Sequence, residues 1–133
     1  MNTTFAHRSS HGEAPFKVTL AITGASGAQY GLRLLQCLLV AKCEVSLMVS
    51  AAAQVVLATE TDLKVPSATA AMQAFFTDLY GASEGQLRVF AKQQWMAPVA
   101  SGSGGGDAMV VCPCSTGSLS AIACGASNNL IER

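Results

Sequence analysis

An α/β fold, with a parallel sheet covered by helices on both faces, is what this chain of 133 residues predicts. Three observations carry that expectation. Apolar runs alternate with helical patterns from Lys17 onward, the first run opens through a glycine turn into a helix, and the length is that of one domain with a real core. Strands separated by helix-length segments pair in parallel through crossovers, which is how a β-α-β-α order reads.

The first strand is expected over Lys17–Thr23 and the first helix over Ala28–Lys42. That helix shows a polar stripe of Gln29, Arg33 and Gln36, with leucines over most of its remaining surface. A second strand, Glu44–Val49, is followed by Ser50 as an N-cap and a second helix over Ala51–Thr59. Pro66 marks a loop before a third helix at about Thr69–Tyr80. A short strand, Gln86–Phe90, leads to Trp95 and the Gly/Ser-rich loop Ser101–Gly106. Ala108–Cys112 is the next strand, stopped by Pro113, and Ser115–Cys124 reads as a helix of small residues. Ser127, Asn128 and Asn129 then read as the start of a further helix. Residues 1–16 are expected to be a disordered leader and residues 17–133 a single domain, unfinished at its C-terminus because its last helix lacks a packing partner.

The richest stretch is VTLAITGASGAQYG, residues 18–31. A strand that opens through glycines onto a helix gathers unpaired backbone N–H groups and the positive end of the helix dipole at one point, which suits an anion. Glycines fall at 24, 27 and 31, so the third comes one position late for the related T-G-x-x-G-x-x-G pattern. One residue turns a helix by about 100°, so Gly31 is expected not to do the close-packing work of a dinucleotide fingerprint's third glycine. Ser50 stands where an acidic residue would meet a ribose. The turn therefore reads as a mononucleotide phosphate site and not an NAD site.

Composition narrows the function classes. Eight basic and eight acidic residues cancel, which leaves no electrostatic footprint for nucleic acid or an anionic membrane. Only 12% of residues are charged, too few to cover a monomer's surface, so burial against further copies of the chain is expected. No apolar run is long enough to span a bilayer, and the N-terminus has no signal core. The five cysteines, 37, 43, 112, 114 and 124, read as reduced thiols of a cytoplasmic protein. Cys112 and Cys114 flank Pro113, but both histidines, His7 and His11, fall in the leader, so no metal is expected.

In a doubly wound sheet the ligand lies beyond the strand C-termini, where the strand order reverses. Three strand ends supply that rim: the Gly24–Gly27 turn, Ser50, and the run from Pro113 to Ser118. All three carry hydroxyls. Capping alone would account for Ser50 or Ser115 singly, whereas their convergence favours a ligand site.

These blocks resemble one family. TGASGAQYG, SAAAQVVLATETD, the W-M-A-P-x-A-S-G-S stretch and VVCPCSTGSLSAIACGASNNLIER are together similar to the flavin prenyltransferases of the UbiX type, across the family's N-terminal two-thirds. The resemblance implies a flavodoxin-like, Rossmann-type three-layer fold, bound FMN and no metal. It implies transfer of a dimethylallyl group from dimethylallyl monophosphate to reduced FMN, closing a fourth ring across N5 and C6. The prenylated FMN would serve UbiD-type decarboxylases, in ubiquinone biosynthesis or aromatic acid decarboxylation, and the protein would form a high-order homo-oligomer.

By position, the resemblance assigns flavin contacts to Gly24, Ala25 and Ser26, to Ser50, and to Ser115, Thr116, Gly117 and Ser118. It makes Glu60 an acid near the reacting edge of the flavin, with Ser26 able to relay its proton. Ring closure on an aromatic carbon must release a proton, and a positioned carboxylate can accept it. Trp95, Ala100 and Ser101 match segments lining the prenyl pocket, and Arg133 lies in a block near the donor site. The family's later P-R-E strand and donor-phosphate groups have no counterpart here, so the chain by itself is expected to be inactive. Three alternatives stand beside this reading: an FMN-dependent cysteine decarboxylase of the same fold, which would need a histidine near the flavin; a short-chain dehydrogenase, which would need Y-x-x-x-K; and a non-catalytic flavin-binding subunit.

Overall fold

The computed structural model describes residues 14–91, 106–125 and 131. Among the described residues there are four strands and four helices, in the order β1 Lys17–Ile22, α1 Ala28–Val40, β2 Glu44–Val49, α2 Ala51–Glu60, α3 Thr69–Tyr80, β3 Leu87–Val89, β4 Ala108–Val111 and α4 Thr116–Ala123. All pairings are parallel, in the order β3-β2-β1-β4. This is an α/β fold of the flavodoxin-like, Rossmann-type class. The chain runs outward from β1 through β2 to β3 and then crosses back to β4, so the order reverses between β1 and β4. That is where doubly wound sheets bind ligands.

Side chains alternate across the strands, and the alternation sorts the core. Val18, Leu20 and Ile22 of β1, Val45 and Leu47 of β2, and Leu87 and Val89 of β3 share one face. Against them pack Leu32, Leu35, Leu38 and Leu39 of α1, Ala53 and Leu57 of α2, and Met72 and Phe76 of α3. On the other face Ala21 and Met48 are buried with Ile131. Phe76 is fully buried, meets Phe75 edge-on at 5.3 Å and stacks on Tyr80 at 6.0 Å. Phe76→Ala would cost about 3–5 kcal/mol, the usual range for emptying a buried aromatic site.

β2 and α3 have the expected bounds and the other elements shift by one or two residues, for local reasons. α1 ends at Val40 because Lys42 adopts φ 65, which leaves the helical region. α3 stops at Tyr80 because Gly81 takes the left-handed cap at φ 66. β3 is trimmed to three residues; Gln73 Oε1 accepts the Val89 N–H, and the buried Gln86 amide donates to the carbonyls of Leu39 and Cys43. Phe16, within the expected leader, packs against the core.

Gly31 corrects the expectation drawn from its spacing. A Cβ there would collide with the Cys112 carbonyl oxygen and lie 3.3 Å from the Ile22 side chain. The phase of a helix is set by where it starts, not by distance from the first glycine. Gly27, at φ 100, delays the start to Ala28 and turns Gly31 toward the sheet. Gly31 therefore does pack α1 closely, onto the β1 and β4 ends.

Candidate functional site

Thr23 ties the rim together. Its N–H and its hydroxyl both donate to the Pro113 carbonyl, at 3.1 and 2.8 Å, and its Oγ1 accepts the Ser115 N–H at 2.7 Å. The side chain is 1% exposed, so these bonds are shielded from water. The clamp fixes the start of α4 against the end of β1. At the neighbouring strand the Ser50 N–H donates to the Ile22 carbonyl at 3.0 Å, which holds the start of α2 on the other side.

Both predicted serine caps form. Ser50 Oγ accepts the Ala53 N–H at 3.0 Å and Ser115 Oγ accepts the Ser118 N–H at 3.1 Å. Ser115 Oγ also donates to Ser118 Oγ at 3.0 Å. Among the described residues the N–H groups of Thr116 and Gly117, in the first turn of α4, have no acceptor. A Cβ on Gly24 would collide with the Ala52 methyl, so only glycine lets β1's turn lie against the start of α2. Gly24, Ser50, Ala51, Ala52, Ser115, Ser118 and Ile131 line one cavity of about 190 Å³. The three strand ends thus meet as the sequence predicts, with hydroxyls facing a shared space. Small-molecule sites usually enclose roughly 300–1,000 Å³, so this cavity suits the polar end of a ligand.

Glu60 closes the other helix start. It is the last residue of α2, and its carboxylate reaches back to the glycine turn. Ser26 Oγ donates to Glu60 Oε2 at 2.8 Å, and the N–H groups of Gly27 and Ala28 donate to Oε1 at 3.0 and 3.3 Å. α1 has no acidic residue in its first turn and no side-chain cap of its own, so a carboxylate from another helix supplies both. The Gly27 N–H and then the Ser26 hydroxyl hold the carboxyl below its ordinary range. The anion-binding point read from the glycine turn is real, and a residue of the chain itself occupies it.

A family model described as Flavoprotein matches residues 6–133. The chain belongs to the flavoprotein family. It is 62% identical, over 90% of its length, to the flavin prenyltransferase UbiX of Pseudomonas aeruginosa and covers 57% of that protein. The crystal structure of AnUbiX in complex with FMN and dimethylallyl pyrophosphate superposes with a TM-score of 0.72 at 32% identity, over 88% of this flavoprotein and 55% of that chain. A dodecameric FMN-dependent UbiX-like decarboxylase from Escherichia coli O157:H7 matches with a TM-score of 0.71 at 28% identity, over 88% of this chain and 57% of that one. The resemblance to UbiX-type proteins read from the motifs is borne out, and the chain spans just over half the length of the relatives it matches.

The structure brings together Gly24, Ser50, Ser115 and Ser118 in one cavity, and separately joins Ser26 to Glu60. Ala25 lies in the same turn, its N–H donating to the Thr23 carbonyl, and Thr116 and Gly117 are exposed at the start of α4. Trp95, Ala100, Ser101 and Arg133 lie outside the described residues, as do both histidines. Sequence reasoning missed Thr23 and Ile131. A threonine ending a strand just before a glycine turn was the available signal for the first; nothing local marked the second. Among the described residues no three His, Cys, Asp or Glu side chains are grouped to hold a metal, and no helix is long and apolar enough to cross a membrane.

Proposed function

We propose that this chain is the flavin-binding part of a flavin prenyltransferase, transferring a dimethylallyl group from dimethylallyl monophosphate to reduced FMN. The cavity shared by Gly24, Ser50, Ser115 and Ser118 carries the reading. Its donor set fits the phosphate end of FMN: serine hydroxyls and the N–H groups of the first turn of α4, beside a glycine that packs against Ala52. Reduced FMN supplies the N5 and C6 positions between which the new ring is built. Ala25 and Ser26 lie along the same turn, toward Glu60.

Glu60 is the proton acceptor in this proposal and Ser26 its relay. With its carboxyl held below its ordinary value of 4.5, Glu60 is ionised at neutral pH and able to accept. Ser26 Oγ, at 2.8 Å, can pass a proton to Oε2 as it takes one from the other side. Taking a proton weakens the bonds from Gly27 and Ala28, so the carboxyl is freed from the α1 start as it does its work. Trp95, Ala100 and Ser101 are assigned to the prenyl pocket and Arg133 to the donor side. The product would serve a UbiD-type decarboxylase in the cytoplasm, and the protein would assemble with copies of itself, as its dodecameric relative does.

The test is to mix the protein with reduced FMN and dimethylallyl monophosphate and look for prenylated FMN by mass. A protein that binds FMN and yields the product when joined to the rest of the family's length supports the proposal. A protein that ignores added FMN contradicts it.

A further inference from the structure

Thr23 sits just past the end of β1, and every polar group it has is engaged. Its N–H and its hydroxyl both reach the Pro113 carbonyl, which uses the two lone pairs of that oxygen. Its carbonyl accepts the Ala25 N–H at 2.9 Å and so belongs to the glycine turn. The group left to meet the Ser115 N–H is the hydroxyl oxygen. The bond from the Cys112 N–H to the Ala21 carbonyl joins β4 to β1 up to the sheet's edge. The Thr23 side chain carries that connection one step further, onto the residue that caps α4.

We propose that Thr23 is the positioning residue for the phosphate end of the site, its hydroxyl holding the start of α4 in binding geometry before any flavin arrives. The inference rests on the flavin reading above and adds the residue that sets its geometry. Thr23 does not line the cavity, so it acts through Ser115, which does. Ser115 is held at two points, by its N–H on Thr23 and by its Oγ on the Ser118 N–H. With both fixed, the first turn of α4 meets a ligand already ordered, and binding loses less of its interaction energy to ordering. Valine matches threonine in shape but has no donor or acceptor, so it would strand the Ser115 N–H. Serine keeps both bonds. The hydroxyl and not the bulk of Thr23 is therefore what the ligand depends on.

Titrating FMN and riboflavin into wild type, Thr23→Val and Thr23→Ser tests this. Thr23→Val should weaken FMN about tenfold or more, as the loss of a shielded hydrogen bond does, and leave riboflavin nearly unchanged. Thr23→Ser should bind FMN nearly as wild type does. Equal losses for the two flavins, or an FMN preference that survives in Thr23→Val, overturn the proposal. A wild type that binds FMN no better than riboflavin would instead sink the phosphate site on which it rests. Amide exchange on the wild type supplies a second measurement that needs no variant to fold. The Ser115 N–H should be protected with and without FMN, and those of Thr116 and Gly117 only with it. A Ser115 N–H protected only after FMN is added would show that the ligand, not Thr23, orders the start of α4.

Discussion

Two helices start on the same rim, and they treat their N-termini in opposite ways. α1 begins in a glycine turn without a cap of its own and takes the Glu60 carboxylate, which accepts from Gly27, Ala28 and Ser26. α4 begins with Ser115, whose Oγ accepts the Ser118 N–H, and among the described residues the N–H groups of Thr116 and Gly117 have no acceptor. The physics of the two ends is the same: orphan donors and the positive end of a dipole. The difference is whether the anion is built in. A glycine-rich turn therefore does not mark the phosphate site by itself. Here it marks where an internal carboxylate is held, and the plainer serine-capped end is the one proposed above for a ligand.

The largest effect that follows is on chemistry at the filled end. Glu60→Gln, in a protein carrying the family's full length, should slow product formation about a hundredfold or more, the usual worth of a general base, with FMN binding kept. Rate assays under saturating flavin check this, and unchanged turnover would reduce Glu60 to a helix cap.

Next is the cradle between the two ends. Gly24→Ala forces a methyl onto Ala52 and should cost about 1–3 kcal/mol, the range for overpacking, seen as a lowered Tm. A smaller change separates the caps. Ser50→Ala should cost about 1 kcal/mol by chemical denaturation, as loss of an N-cap does, at any pH where the protein is folded.

The Glu60 cap differs by depending on pH. Its carboxyl is held below the ordinary 4.5 in the folded chain, so its contribution to stability is fully present above that value. The contribution is lost as pH falls through the lowered folded value. The stability gap between wild type and Glu60→Gln should be constant near neutrality and close on acidification. A gap that widens in acid would mean the carboxylate is not stabilised by the α1 start.

The contrast also shows what a sequence exposes. Strand and helix order was legible from Lys17 to Ala123 because each element repeats a period of about two or 3.6 residues over its own length. The convergence of Gly24, Ser50 and Ser115 followed from topology once parallel strands were assumed, since strand ends then share an edge. Glu60 closing α1, 33 residues back along the chain, left no local trace, and neither did the Thr23 clamp across 90 residues to Pro113. Gly31 was misread for the related reason that its neighbour in space, the Cys112 carbonyl, belongs to another strand end. Position along a helix can be counted; what stands opposite it comes only with the fold.

The central claim is that the start of α4, not that of α1, receives the nucleotide's phosphate. Comparing FMN with riboflavin isolates the phosphate, because the two differ by that group alone. Titrating both into wild type, a Ser115→Ala/Ser118→Ala double variant and Glu60→Gln measures where the phosphate's share of affinity resides. The account predicts that wild type and Glu60→Gln bind FMN more tightly than riboflavin and that the double variant loses most of that preference. A preference that survives in the double variant and vanishes in Glu60→Gln would put the phosphate at the glycine turn and contradict it.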